Sequence, residues 1–304
     1  MSDDSLANKA TSNLEKITRN IDQLPMLPGV LFQLMKLNSD DDEFYDQVHS
    51  LAKTDPPLAS FILSYANSAA SSPNNAITSL QAALTRVGSQ TIVNLITTLS
   101  VSKVFVPSHP EHKLIWKHSI ETAMIASFIS KITHHHDVDP EMAYMCGLLH
   151  DIGRFVLFQF APTALDQTDA QGWGSANELP LVEKQILGTS HSEIGYIACQ
   201  KLHLPNIVSS VVRHHHNYDI CENDKAPQAF RELVLIIQFA DFLSVMTSKT
   251  SDWKDFSTND LKAHIHANCI MKNWGDHNLP VDMIAEALPM LISKSETLAA
   301  SLGV

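Results

Sequence analysis

The chain has 304 residues, 44% hydrophobic and 18% charged, which excludes a disordered polymer and allows one large core or two smaller ones. Its formal charge of −12 argues against a nucleic-acid partner, because a phosphate backbone needs a basic surface, while a phosphate-bearing substrate stays compatible if metal ions supply local positive charge. The opening MSDDSLANKA has no apolar core, and the longest apolar stretch, Leu233 to Leu243, is interrupted by Gln238 and Asp241; neither a signal peptide nor a membrane span is expected, and the expected location is cytoplasmic.

Residues 1–20 read as an N-terminal helix or tail. Residues 21–108 read as a lobe of short helices, with three- and four-residue apolar spacing at Val30, Leu31, Leu34 and Met35 and again at Leu58, Phe61, Ile62 and Tyr65. Asp55-Pro56 puts a capping carboxylate before a proline at the first helical position, and Thr78-Ser-Leu-Gln81 has the spacing of a capping box led by Thr78. The Pro107-Ser-His-Pro110 break closes this lobe.

Residues 109–250 form a second segment, with longer helices and most of the histidines. Asp139-Pro140 starts one helix and the box Ser190-His-Ser-Glu193 another. Ala161 to Asn177 reads as a surface loop, as does Asn217 to Gln228. The run His134-His135-His136 before a turn reads as an exposed stretch. Residues 251–304 read as a helical extension ending in the amphipathic run Val281 to Leu302. With only 10 glycines and no period-two apolar run bounded by turn residues, the expected fold is all-α. Cys146, Cys199, Cys221 and Cys269 are scattered without a CxxC pair and read as reduced core residues.

Four segments turn a metal-binding side chain toward an apolar face. His118 heads the stripe Thr122, Ile125, Ile129 and Ile132. His150 and Asp151 follow the apolar run Met145 to Leu149. His215 shares a face with Val208, Val211 and Val212, and Asp241 shares one with Val234, Ile237 and Val245. A carboxylate in so apolar a helix needs a cation, because an unpaired buried charge costs several kcal/mol. Arginine, lysine, protonated histidine and a metal ion are all candidates, and neutral imidazole with carboxylate is a common ligand set for divalent ions. Any one of these histidines alone is more often a hydrogen-bonded core residue, and His191 alone could simply follow its Ser190 cap. Together, on separate helices, they point to a shared metal site.

Several stretches resemble the HD-related output domain (HDOD) family. These are LPMLPGVLFQLMKL, TDPPLASFILSYANSA and ITSLQAALTRVGSQTIVNLITTLSV in the first lobe, then IWKHSIETAMIASFIS, AYMCGLLHDIGR and LHLPNIVSSVVRHHH. The resemblance covers about residues 21–245. It implies an HD-superfamily helical bundle with an additional N-terminal helical lobe, in a bacterial signalling protein. Active HD proteins are metal-dependent phosphohydrolases, so the resemblance implies that His118, His150, Asp151 and Asp241 are core ligands of one or two divalent ions (Fe, Mn, Mg or Zn). Asp151 would bridge the two ions of a pair. His191 looks like the further histidine of two-metal HD-GYP relatives, and His215 and His216 look like their paired histidines, with His214 leaving the register open. Arg154 stands where relatives carry a phosphate-holding lysine, which makes Asp151 and Arg154 the candidate catalytic pair. Asn217 replaces the glutamate that relatives carry after the paired histidines, and no GYP motif follows, which argues against hydrolysis of cyclic di-GMP. The expected function is a signalling protein with a phosphohydrolase site acting on a phosphoester or nucleotide, or else a non-catalytic module that binds a signalling partner while its metal is structural or vestigial.

Overall fold

A computed structural model describes residues 17–34, 36–37, 41, 43–68, 77–133, 138–174, 177–269 and 279–304. Among these residues every regular element is a helix and none is a strand. The His134-His135-His136 run lies outside the described residues. The chain divides into two compact units, one built from residues up to Leu24 with Pro107–Glu296, the other from Pro25–Val106 with Thr297–Val304.

The smaller unit contains α1 (Gly29–Leu34), α2 (Phe44–Lys53), α3 (Pro56–Ser68), α4 (Leu80–Val87) and α5 (Ser89–Ser102). Its core is assembled from one face of each, including Leu34, Phe44, Val48, Leu58, Ile62, Leu84, Ile92 and Ile96. Asp55 Oδ1 accepts from the Leu58 amide and starts α3, as the Asp-Pro pair predicts. The cap of α4 is Ser79 rather than Thr78: Ser79 is the extended residue and its Oγ accepts from Ala82 N at 3.3 Å. Ser79 is therefore a simple cap rather than half of a box, since the residue three beyond it is Ala82, which has no polar side chain to reach back.

The larger unit contains α6 (Pro110–Ile132), α7 (Pro140–Leu149), α8 (Ile152–Phe160), α9 (Pro162–Gln171), α10 (Leu179–Leu187), α11 (His191–Lys201), α12 (Asn206–His214), α13 (Gln228–Lys249), α14 (Thr258–Asn268) and most of α15 (Val281–Leu302), whose residues from Thr297 on belong to the smaller unit. Asp139 Oδ2 accepts from Met142 N and Pro140 begins α7. Helix α13 is buried on every face from Leu233 to Thr247, which makes it the centre of this unit and accounts for its apolar sequence. Helices α7 and α13 pack along α6, and α11 packs against α8 and α12.

The stretch from Ala161 to Asn177 is mostly helical rather than a loop, because Pro162 opens α9 and Gly172 ends it. Its composition hides this: only Ala164, Leu165 and Thr168 of the helix are buried, too narrow a stripe to stand out among polar residues. Asn217 to Gln228 is irregular apart from a single 3-10 turn, Ile220–Glu222, before α13 begins. No helix among the described residues is long and apolar enough to cross a membrane. All four cysteines are free thiols, with Cys146, Cys199 and Cys221 buried.

Candidate metal centre

The site lies in the larger unit, mostly at helix ends. His150 and His215 stand at the C-terminal caps of α7 and α12. A helix end leaves its last carbonyls without intrahelical donors, and each of these rings uses one of them. His150 Nδ1 donates to Gly147 O and His215 Nδ1 to Val212 O, both at 2.7 Å. A carbonyl can only accept, so Nδ1 carries the proton in both rings and Nε2 is left with its lone pair inward.

His191 opens α11, where backbone amides lack acceptors. The buried carboxylate of Glu183 fills that role twice, accepting from His191 N at 2.7 Å and His191 Nδ1 at 2.6 Å. His118, in the interior of α6, has Nδ1 3.0 Å from Ser244 Oγ, and that hydroxyl donates to Glu121 Oε2 at 2.7 Å. Ser244 Oγ is thereby free to accept the His118 Nδ1 proton. All four rings thus have the same tautomeric bias, with Nδ1–H held from behind and Nε2 facing inward, as is usual for histidines that bind metal ions.

The inward nitrogens are crowded. Nε2 of His118 lies 3.2 Å from that of His150, and Nε2 of His191 lies 3.1 Å from that of His215 and 3.0 Å from that of His216. Lone pairs so close repel unless a proton or a metal ion sits between them. Asp151, between α7 and α8, completes the set: Oδ1 is 3.1 Å from His191 Nε2 and 3.6 Å from His215 Nε2, while Oδ2 is 3.8 Å from His118 Nε2. Asp241 Oδ1 is 3.3 Å from His118 Nε2. Two groups result, Asp151 with His191, His215 and His216, and His118 with His150 and Asp241, each able to hold an ion, with Asp151 lying between them.

All seven metal-ligand candidates from the sequence therefore converge. His214 does not join them; it stands edge-on to Phe230, 6.2 Å between ring centroids. Two carboxylates behind the site were not singled out in the sequence, Glu183 and Glu121. Their signal was present: Glu183 falls four residues from both Leu179 and Leu187, which are buried, so its helical face is an apolar one. The convergence depends on two close approaches. A Cβ on Gly153 would meet His191 C at 2.7 Å and Gly195 N at 2.9 Å, and one on Gly195 would meet Val212 Cγ1 at 2.7 Å. Only residues lacking Cβ let α8 and α11 cross at this distance and set Asp151 beside His191.

Burial and charge divide the imidazoles. Burial pushes His150 down to about 4 and holds His216 well below the usual range, where His215 and His191 depress it further. Burial acts the same way on His191, but the Glu183 and Asp151 carboxylates outweigh it and raise the ring to about 10. His118 is raised by Asp241 against its own desolvation. Desolvation would raise both aspartates, yet Asp151 is held well below the carboxylate range by His150 and His191, and Asp241 is lowered by His118.

The centre opens on a cleft of about 710 Å³ lined by His118, Asp151, His216 and Asp241, together with Arg154 and Lys117. Arg154 is buried, and its Nη2 donates to Asp169 Oδ1 at 2.6 Å, while its Nε has no hydrogen-bond partner. The guanidinium is thus at the cleft but already engaged by a carboxylate.

The helical architecture agrees with the comparisons to known proteins. The HDOD domain model matches residues 24–218, and the chain belongs to the HDOD family. An uncharacterised protein of Treponema pallidum (strain Nichols) is 27% identical over 238 residues; the match covers 78% of this chain and 45% of that protein, so the chain spans less than half of its relative's length. Among solved structures, an HDOD domain protein of unknown function from Geobacter sulfurreducens superposes with a TM-score of 0.70 at 22% identity, covering 97% of each chain. A protein of Shewanella amazonensis SB2B, provisionally named a phosphohydrolase, gives 0.67 at 20% identity over 94% of this chain and 98% of its own. At these identities the likeness concerns the fold.

Proposed function

We propose that this HDOD protein retains an HD-type centre for two divalent ions and uses it to hydrolyse a phosphoester. The observation that carries the reading is the set of inward Nε2 atoms, 3.0–3.2 Å apart, flanking Asp151 at the floor of an open cleft. A hydrophobic core would not place five imidazoles and two carboxylates in contact, since each must give up hydration to be there. His191, His215, His216 and Asp151 would hold one ion and His118, His150 and Asp241 the other, with Asp151 shared. Bound divalent ions supply Lewis acidity toward phosphoryl oxygens and lower the pKa of water toward neutrality.

The chain's own residues do the rest. Gly147, Val212, Glu183 and Ser244 keep the rings oriented, so little ordering remains to be done when an ion enters. Arg154 offers a guanidinium to a phosphate arriving in the cleft, in exchange for Asp169, whose side chain is 43% exposed and can return to water. The divalent ion could be iron, manganese, magnesium or zinc, since nitrogen and oxygen donors accept all four.

A second reading has a specific observation behind it. The Arg154–Asp169 pair already neutralises the cation at the cleft, and the family resemblance implies a glutamate where this chain has Asn217. On that reading the centre is structural, and the protein acts by docking a signalling partner.

The deciding experiment loads the purified protein with Mn²⁺ or Fe²⁺ under reducing conditions, measures metal content, and assays a panel of phosphomonoesters, phosphodiesters and nucleotides beside Asp151→Ala. Turnover by the loaded wild type and none by the variant supports hydrolysis. Loaded wild type as inert as the variant leaves only the docking module.

A further inference from the structure

The two ion groups are backed by different chemistry. Behind His191 stands a carboxylate in direct contact: Glu183 Oε2 takes both the ring proton at 2.6 Å and the backbone amide, in a fully buried position. Behind His118 the carboxylate is one group further away, because Glu121 reaches the ring only through the Ser244 hydroxyl. Its charge is also partly answered, since Lys117 Nζ lies 3.7 Å from Glu121 Oε1. Behind His150 and His215 there are only neutral carbonyls.

A carboxylate accepting Nδ1–H makes the opposite nitrogen a stronger electron donor, and in a buried site its charge is poorly screened. We propose that Glu183 is a positioning residue whose charge makes the Asp151–His191–His215–His216 group the tighter of the two, filled before the His118–His150–Asp241 group. This rests on the two-ion reading above and adds an order to it. Once the Asp151–His191–His215–His216 group is filled, the His118–His150–Asp241 group, with Asp241 as its own carboxylate, takes the exchangeable ion.

The test is equilibrium Mn²⁺ binding by the ion-free full-length protein against a competing chromophoric chelator. Wild type is expected to take two ions in two resolved steps. Glu183→Gln keeps an oxygen to accept from His191 but loses the charge, and the new amide nitrogen falls where Oε1 has no hydrogen-bond partner. Its first step should weaken roughly 10- to 100-fold, with the second changed little. Ser244→Ala should weaken the second step alone. Glu183→Asp keeps the charge but fits less well, and should bind the first ion more tightly than Glu183→Gln.

If Gln binds like wild type, or better than Asp, shape rather than charge governs and the proposal is overturned. Equal weakening of both steps overturns the ordering. A wild type that takes up no ion at all defeats the metal reading itself, a different outcome from either.

Discussion

Gly153 lies so close to the carbonyl of His191 that no side chain can stand between them, and this one approach ties the His150-Asp151 turn to the start of α11. A methyl at Gly153 would meet backbone atoms, which cannot rotate aside as a side-chain end can. Gly153→Ala should cost about 3 kcal/mol, lowering the melting temperature by several degrees and displacing Asp151 from His191. Differential scanning fluorimetry and metal content on the same preparation would show both losses. Normal stability with full metal uptake would mean that the helices can separate without opening the centre.

Asp241 belongs to the group of His118 and His150, whereas Asp151 belongs to the other and also lies 3.8 Å from His118 Nε2, so on the two-ion reading their variants separate. Asp241→Asn should lower the metal content of the loaded protein from two ions toward one, whereas Asp151→Asn should lower both. Elemental analysis after dialysis gives the count. Identical stoichiometry in the two variants would contradict the shared role of Asp151.

Protons and metal ions compete for the same nitrogens. The Glu183 and Asp151 carboxylates overcome burial to hold His191 at about 10, so at pH 7 that ring carries a proton that an ion must displace, and Asp241 favours a proton on His118 as well. Metal uptake should release protons and tighten as pH rises. Titration calorimetry in two buffers of different ionisation enthalpy measures the release; identical heats in both would show that the rings were already neutral.

The same shifts shape the stability of the ion-free protein. His150, driven down to about 4 by burial, contributes stability that is complete above 6.5 and lost as pH falls through about 4. His191, raised to about 10, contributes stability that is complete below 6.5 and lost as pH rises through about 10. Melting temperature should therefore peak near pH 6.5 and fall on both sides. Added Mn²⁺ should flatten the alkaline limb, because the ion replaces the proton there.

Asp169→Ala should free Arg154. The pair is short, at 2.6 Å, and Asp169 is partly exposed while Arg154 is buried, so removing the carboxylate leaves the guanidinium at the cleft with Asp151 and Glu183 as its remaining charge partners, at a cost in stability. Inorganic phosphate should then bind several-fold more tightly, read as a lower inhibition constant or by direct calorimetry. Unchanged phosphate affinity would show that Arg154 does not face an arriving phosphate.

Much of this centre was legible because most of its candidate ligands sit at places the sequence marks. His118 and Asp241 interrupt apolar stripes, His191 follows a capping serine, and His150 and His215 end helices whose apolar runs stop there. Asp241 called for a cation, and His118 at 3.3 Å is its nearest ion-pair partner. The three-histidine run could not settle its own register, because the choice depends on where α12 stops: it ends at His214 and turns His215 and His216 inward. Helix α9 has too narrow an apolar stripe to stand out in the sequence, although Pro162 at its start is a usable marker. Glu183 shares an apolar helical face with Leu179 and Leu187, which marks it as buried but does not name the histidine it serves, eight residues on.

His150 and His215 are each steadied by a carbonyl three residues back in their own chain, so their aim is decided by short-range folding. Such a mould exists before anything is poured into it. Stripping the protein with a chelator should leave its circular dichroism intact, and one metal could then be exchanged for another on the bench without a refolding step, making this chain a convenient host for spectroscopic ions such as Co²⁺.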